Sequence, residues 1–362
     1  MRRFLAVALC ISLAACATGH KAPDVRRNAP DTGRKAPNAG RVGHEKPKAG
    51  KVVPKETAKE PVASKDPAPP VTITQQMDTL GDTVVHFGEE VGGSLVVMKG
   101  VENRPVPPMN YQKTAFKKVA TEIAGATQCN VATYPSYTFL YPPGYENLLG
   151  LSLANRLDPA MASRTVAMTF GSDTPLHKAF TLLSASLNAT VLADNVLAEA
   201  RTGAVTLAEI PVGDALEAIL KSARVVPDAF QVESTPEYVF FYAGPPVPAH
   251  TTLINADALK PEDSAYLDTV VDLYLPSKPD DTKNYEIPSR ALPLGSVLDA
   301  LSQQLGRVVV AAPGMEEFPV NPCALIKVRV RTAMDLLIRQ WPVPDFGYTM
   351  EGGRIVIRRN KS

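Results

Sequence analysis

Shifted by 214 positions, this chain of 362 residues matches its own C-terminal part without a gap. Leu80-Gly81 meets Leu294-Gly295, and Phe87-Gly88-Glu89-Glu90-Val91-Gly92 meets Leu301-Ser302-Gln303-Gln304-Leu305-Gly306. Val101-Glu102-Asn103-Arg104-Pro105-Val106 meets Met315-Glu316-Glu317-Phe318-Pro319-Val320. A middle stretch follows the same plan: Pro175-Leu176, then Phe180, Leu183 and Leu187, then Thr190-Val191-Leu192, then Val205-Thr206-Leu207 and Pro211-Val212. The second halves align as well. Ala115-Phe116 with Val119, Ala215-Leu216 with Ile219-Leu220, and Ala333-Met334 with Leu337-Ile338 each occupy one helix face by i, i+3, i+4 spacing. A period of this kind restricts the fold to one small unit used three times.

The order of elements within a unit follows from local chemistry. In the third copy Ile287 is expected to open a strand, and Pro293 stands at a helix start, where its missing N–H costs nothing. Leu294, Val297, Leu298, Leu301 and Leu305 make the apolar stripe of that helix. Gly306 ends it in the left-handed conformation, and Val308-Val309-Val310 enters a sheet. Asn188 holds the helix-ending place in the middle copy and Gly92 in the first. A strand pair closes each unit: Tyr137, Phe139 and Tyr141 in the first, Tyr238, Phe240 and Tyr242 in the second, with a period of two that puts the rings on one sheet face. In the third, Phe346 and Tyr348 lead through Glu351-Gly352-Gly353 to Ile355 and Ile357, a hairpin. The expected class is α+β, three tandem β-α-β-β-α-β modules of about 75 residues each. They occupy 71–142, 143–244 with a leading linker and strand, and 285–362, with 245–284 as a linker.

A different composition precedes the modules. Arg2 and Arg3 give a positive n-region, Phe4 to Leu13 a short apolar h-region, and Leu13-Ala14-Ala15 leads to Cys16. The run is too short for a membrane-spanning helix, which needs about 20 apolar residues. It resembles the signal of bacterial lipoproteins, with residues 1–15 removed and Cys16 acylated as the first mature residue. In that family a non-acidic neighbour such as Ala17 implies sorting to the outer membrane. Residues 16–70 carry hardly a large apolar side chain, and Pro, Ala, Gly and Lys recur as in Lys21-Ala22-Pro23 and Lys35-Ala36-Pro37. Such a segment cannot offset its ordering entropy by burial, so a disordered tether is expected. Where polyproline II forms it reaches about 3 Å per residue, enough to hold a body well over 50 Å from a membrane. A passive spacer and a binder of anionic headgroups or cell wall are both consistent with its lysines.

Charge and cysteine usage narrow the partners. The formal net charge of +1 hides an asymmetry, because residues 17–70 hold twelve Lys/Arg against six Asp/Glu. Residues 71–362 carry 24 Lys/Arg against 31 Asp/Glu, a balance unsuited to gripping phosphates, so no nucleic-acid partner is expected. With Cys10 in the signal and Cys16 lipidated, only Cys129 and Cys323 remain, which is no disulfide framework; a bridge between domains and two separate thiols are both open. No catalytic constellation is legible. His86, His177 and His250 are scattered, no metal-spaced His/Cys cluster occurs, and Ser184 and Ser186 lack a Gly-x-Ser-x-Gly elbow. Asp280-Asp281 reads as a solvated loop. The expectation is a protein that is not an enzyme and takes no cofactor and no metal.

The run Pro175-Leu176 through Val191, with Gly203-Ala204-Val205-Thr206-Leu207 and Ile210-Pro211-Val212-Gly213-Asp214-Ala215-Leu216-Glu217-Ala218-Ile219-Leu220, resembles the secretin and TonB short N-terminal domain. Ile287–Leu305 with Val328–Leu337 looks like a second example, and 71–141 is a more divergent one. The resemblance implies a small periplasmic fold that docks or forms rings rather than catalyses. It is found on outer-membrane secretins and signalling TonB-dependent receptors and, in related form, in lipoproteins of type IVB secretion cores. The stretch up to Ser362 holds no long series of alternating strands of the kind a barrel requires, so periplasmic modules rather than a pore are expected. The expected function is an outer-membrane-anchored periplasmic lipoprotein that docks within a secretin-type or type IVB secretion or pilus assembly, with a homo-oligomer or ring among its forms. The alternatives are a periplasmic ligand- or peptidoglycan-binding lipoprotein and a TonB-linked signalling module. Candidate interface residues are the ladder Tyr137, Phe139 and Tyr141, and the sole tryptophan, Trp341; core packing is the competing role for each.

Overall fold

The computed structural model describes residues 71–75, 78–91, 93–243, 252–278, 286–343 and 345–360. Cys16, the tether 16–70, Gly92, His250 and Asp280-Asp281 lie outside the described residues. The described part is mixed α+β, with short helices packed on several small sheets.

The first stretch comprises β1 (Val71–Gln75), α1 (Leu80–Val91), β2 (Leu95–Val97), β3 (Met109–Thr114), α2 (Phe116–Ala126), β4 (Asn130–Thr133) and β5 (Thr138–Tyr141). Here β1 pairs antiparallel with β3, β4 antiparallel with β5, and β2 parallel with β5. The second comprises β6 (Thr165–Phe170), α3 (Leu176–Leu187), β7 (Thr190–Ala193), β8 (Val205–Pro211), α4 (Val212–Ser222), β9 (Gln231–Ser234) and β10 (Tyr238–Tyr242). In it β6 pairs antiparallel with β8, β9 antiparallel with β10, and β7 parallel with β10. The third comprises β11 (Val270–Leu275), α5 (Leu294–Leu305), β12 (Val309–Ala311), β13 (Cys323–Arg329), α6 (Val330–Arg339), β14 (Phe346–Glu351) and β15 (Arg354–Arg359). There β11 pairs antiparallel with β13, β14 antiparallel with β15, and β12 parallel with β15.

Local chemistry sets the element ends. Asn188 (φ 51°) and Gly306 (φ 63°) terminate α3 and α5 in the left-handed conformation, as their sequence positions suggest. Gly352 (φ 59°) and Gly353 (φ 77°) make the tight β14–β15 turn, where two consecutive positive φ values match the twist of a hairpin. Lys113 (φ 48°) and Lys327 (φ 55°) take positive φ near the ends of β3 and β13. Each donates its N–H to a side chain across the pair, Thr72 Oγ1 at 3.3 Å and Asp272 Oδ1 at 2.8 Å.

One element departs from expectation. Ile287 is buried but lies in no strand; the strand opposite β13 is β11, inside the segment 245–284 read as a linker. The alternation in Val270-Val271-Asp272-Leu273-Tyr274-Leu275 is short and only Leu273 and Leu275 on it are buried, so its periodic signal is weak beside the prolines that follow.

The apolar core forms three clusters; the first belongs to the first stretch apart from Ala204 of the second, and the other two cross more fully between stretches. Leu80, Val84, Val119, Ile123 and Leu140 pack within the first stretch. The second cluster joins Phe180, Leu216 and Phe241 to Val96, Tyr137, Phe139 and Tyr141 of the first. The third joins Leu301, Leu337 and Tyr348 to Leu192 and Phe240 of the second.

Candidate docking surfaces

The aromatic ladder of the first stretch is consumed inside the chain. Tyr137, Phe139 and Tyr141 are 3%, 0% and 5% exposed, while Leu140, on the opposite sheet face, belongs to the first stretch's own core. The ladder therefore presents no ring to an outside ligand; it is an interface, but one between two parts of the same molecule. Strand β8 completes that contact by pairing antiparallel with β2, which gives a five-stranded sheet in the order β4-β5-β2-β8-β6. The approach is close: a Cβ on Gly203 would sit 2.2 Å from Val97 O, and Val97 N donates to Ala204 O at 2.9 Å. Only a residue without a side chain fits there.

Two side chains fasten this interface. Ser94, three residues beyond the end of α1, accepts the Ala208 N–H at 2.9 Å and donates to the Ala208 carbonyl at 3.4 Å. From α4, the fully buried Lys221 donates to Tyr137 Oη at 2.9 Å, lies 3.5 Å from Glu217 Oε2 and stands 3.9 Å above the Tyr134 ring. Burial pulls the Lys221 ammonium below its usual value, against the pull of Glu217 and Asp214. Burial likewise pushes the Tyr134 phenol up to about 12.

The second interface uses the same materials. Thr190, three residues beyond the end of α3, accepts the Ile326 N–H at 2.7 Å and donates to the Ile326 carbonyl at 3.2 Å. Arg339, from α6, stacks 4.6 Å from the Phe240 centroid and pairs with Glu233 at 2.5 Å. Burial would lift the Glu233 carboxyl, but hydrogen bonds from Arg339 and Tyr238 and the Arg339 charge hold it below the usual glutamate value. His177 adds ring-nitrogen contacts to Ala198 O at 3.1 Å and Pro288 O at 3.0 Å.

Trp341 is 3% exposed, donates Nε1–H to Pro319 O at 2.6 Å and meets Phe318 and Phe346 edge to face at 5.5 and 5.7 Å. Packing dominates, yet one side of the ring reaches a partly open cleft shared with Phe240, Tyr242, Val343 and Phe346. Two of the polar groups there are engaged: Asp194 accepts the N–H groups of Val196, Leu197 and Ala243, and Arg339 holds Glu233. Cys129 and Cys323 are both free thiols; burial pushes Cys323 up to about 12. Among the described residues no group of His, Cys, Asp and Glu is arranged to hold a metal ion, and no helix is long and apolar enough to cross a membrane.

The residues that sequence reasoning missed are Ser94, Thr190, Lys221 and Arg339. A hydroxyl at the same distance past two matching helices, and a cation at the tenth position of each following helix, were the available signals. No protein-family model, curated protein or solved structure matches the chain.

Proposed function

We propose that this protein is a structural docking component of a bacterial outer-membrane assembly, secretin-type, type IVB secretion or pilus. In this reading it is lipid-anchored through Cys16, spaced by residues 16–70, and made of three tandem copies of one β-α-β-β-α-β module that act by contact rather than catalysis. Support for the module comes from the pairing plan: β1–β3, β6–β8 and β11–β13 are antiparallel, and β2–β5, β7–β10 and β12–β15 parallel. The offset of 214 extends to single hydrogen bonds. Leu80 N to Arg104 O and Leu294 N to Phe318 O are both 2.8 Å, as are Gly81 N to Glu102 O and Gly295 N to Glu316 O.

The observation that carries the docking role is the pair of junctions, each built from a hydroxyl on one stretch gripping the backbone of the next. Repeats that bury a face only by stacking are contact-forming by construction. The test is extraction from the envelope after cross-linking in cells. Recovery with a secretin, pilus or secretion component is expected; recovery with no envelope neighbour overturns the role. Cys16→Ala is expected to leave the body folded but released from the outer membrane, read by fractionation.

A further inference from the structure

One group at the second junction sits among partners that call for more protons than its neutral form carries. Of the two histidines among the described residues, His86 is exposed, while His177, in the first turn of α3, is 3% exposed. Its Nδ1 lies 3.1 Å from Ala198 O and its Nε2 3.0 Å from Pro288 O. Both partners are carbonyl oxygens, which only accept. A neutral imidazole has one N–H, so it satisfies one carbonyl and turns a lone pair on the other; an imidazolium donates to both. The carbonyls belong to different stretches. Ala198 ends the short helix Asn195–Ala198 of the second, and Pro288 lies in the irregular approach to α5 of the third.

The two contacts differ in which can be given up. Ala198 is fully buried, so its carbonyl has no water to turn to and keeps the ring's first proton, at Nδ1. Pro288 is half-buried, and its carbonyl can bond to water instead. We infer that His177 is an acid-set latch between the second and third stretches: a second proton, taken up at Nε2, ties down Pro288 and with it residues 286–290. Arg201 also holds this segment, at Ser289 O and 3.2 Å, through a charge that does not titrate in the same range. The latch therefore sets how tightly the segment is held.

The surrounding charges fix where it works. Glu199 favours the imidazolium and Arg201 opposes it, the two standing 3.9 Å apart. Lys178 follows on α3, and Glu286 and Arg290 flank Pro288 at exposed positions where water screens them. The run Asn321-Pro322-Cys323, which meets α3 at Thr181, brings no charge, since burial holds its thiol protonated. Burial outweighs the carbonyls and Glu199 and pulls His177 below histidine's ordinary value. Near neutral pH the ring is neutral and Pro288 is released; below about pH 6.5 the tie forms. Closing strengthens as pH falls, because only the closed contact offers the second proton an acceptor. Against the unfolded chain the sign is opposite: with a lowered folded value, His177 contributes stability that is present above the ordinary value and lost as pH falls through the lowered one. The latch is thus read locally, not by global unfolding.

The inference stands on the geometry of the junction and is independent of any envelope role. Its test uses the full chain with 15N-labelled histidine, the His177 ring being assigned by its loss in His177→Gln. One protonated nitrogen, Nδ1, is expected at pH 7.5, and two on the acid side of 6.5. Hydrogen exchange at Ile287, Ser289 and Arg290, corrected for the intrinsic effect of pH, is expected to be about tenfold slower at pH 5 than at pH 7.5, the effect of one unit between closed and open ring. His177→Gln should abolish that difference, whereas Arg201→Gln should speed exchange at both pH values and keep it. A neutral ring protonated on Nε2, or equal protection of the segment at both pH values, overturns the inference. So does a difference that survives in His177→Gln. If that variant does not fold, substituting His20, His44, His86 and His250 in turn assigns the ring by elimination, and its tautomer and titration in the unaltered chain decide.

Discussion

A hydroxyl that both accepts from and donates to a single backbone residue satisfies two buried polar groups at once. Thr190, fully buried, does this for Ile326. Thr190→Val keeps the shape and removes the acceptor, so the Ile326 N–H is left buried without a partner, at a cost of about 1–3 kcal/mol. Urea unfolding should show that loss, and Thr190→Ser should recover most of it. The Glu233–Arg339 pair gives the residue scale a pH signature. Because Glu233 titrates below the usual glutamate value in the folded state, its contribution is present above that usual value and is lost as pH falls through the lowered one. Stability measured from about pH 5 downward should fall, and less steeply in Arg339→Met, which no longer holds the carboxylate in its charged form. The two thiols should also separate: native labelling with a maleimide is expected at half-buried Cys129 and not at Cys323, whose thiol is buried and held protonated.

Helices α2 and α4 show what a junction does to an element. In α2 only Val119, Ala120, Ile123 and Ala124 are buried, one face against its own sheet. In α4 burial extends to Glu217, Lys221 and Ser222, because a second surface, the ladder of β5, covers the other side. Phe139→Ala, which empties the centre of that ladder, should destabilise the protein by about 3–5 kcal/mol in chemical denaturation. Sequence patterning made both helices legible, since the apolar spacing of a single face is the same in each. It could not show that the polar face of α4 was also covered, because Lys221 and Glu217 read as solvated until a partner surface is placed on them. The ladder illustrates the same limit. Its period of two put Tyr137, Phe139 and Tyr141 on one side, but a sheet face turned toward water and one turned toward the next stretch have identical periods. Strand β11 was missed for the opposite reason, since long-range pairing with β13 forms it where local signal is thin. The apolar run leading to Cys16 and the Pro/Lys-rich stretch behind it stand out by short motif and composition, a kind of signal that depends on no packing.

For the whole described body, interleaved clusters mean that no stretch owns all of its core. Residues 71–142 taken alone would expose the β5 ladder and lose the strand that covers β2, so that fragment should bind a hydrophobic dye and fail to unfold cooperatively, whereas 71–362 should melt in one transition by calorimetry. Stretches that share core clusters in this way depend on each other for burial. The grip at each junction bears on how such a chain changes over generations. Ser94 holds an alanine and Thr190 an isoleucine, yet both hold them by the peptide group alone. A handle made of backbone carries no side-chain spelling, so the two gripped positions are free to drift in sequence while the hydroxyl keeps its hold.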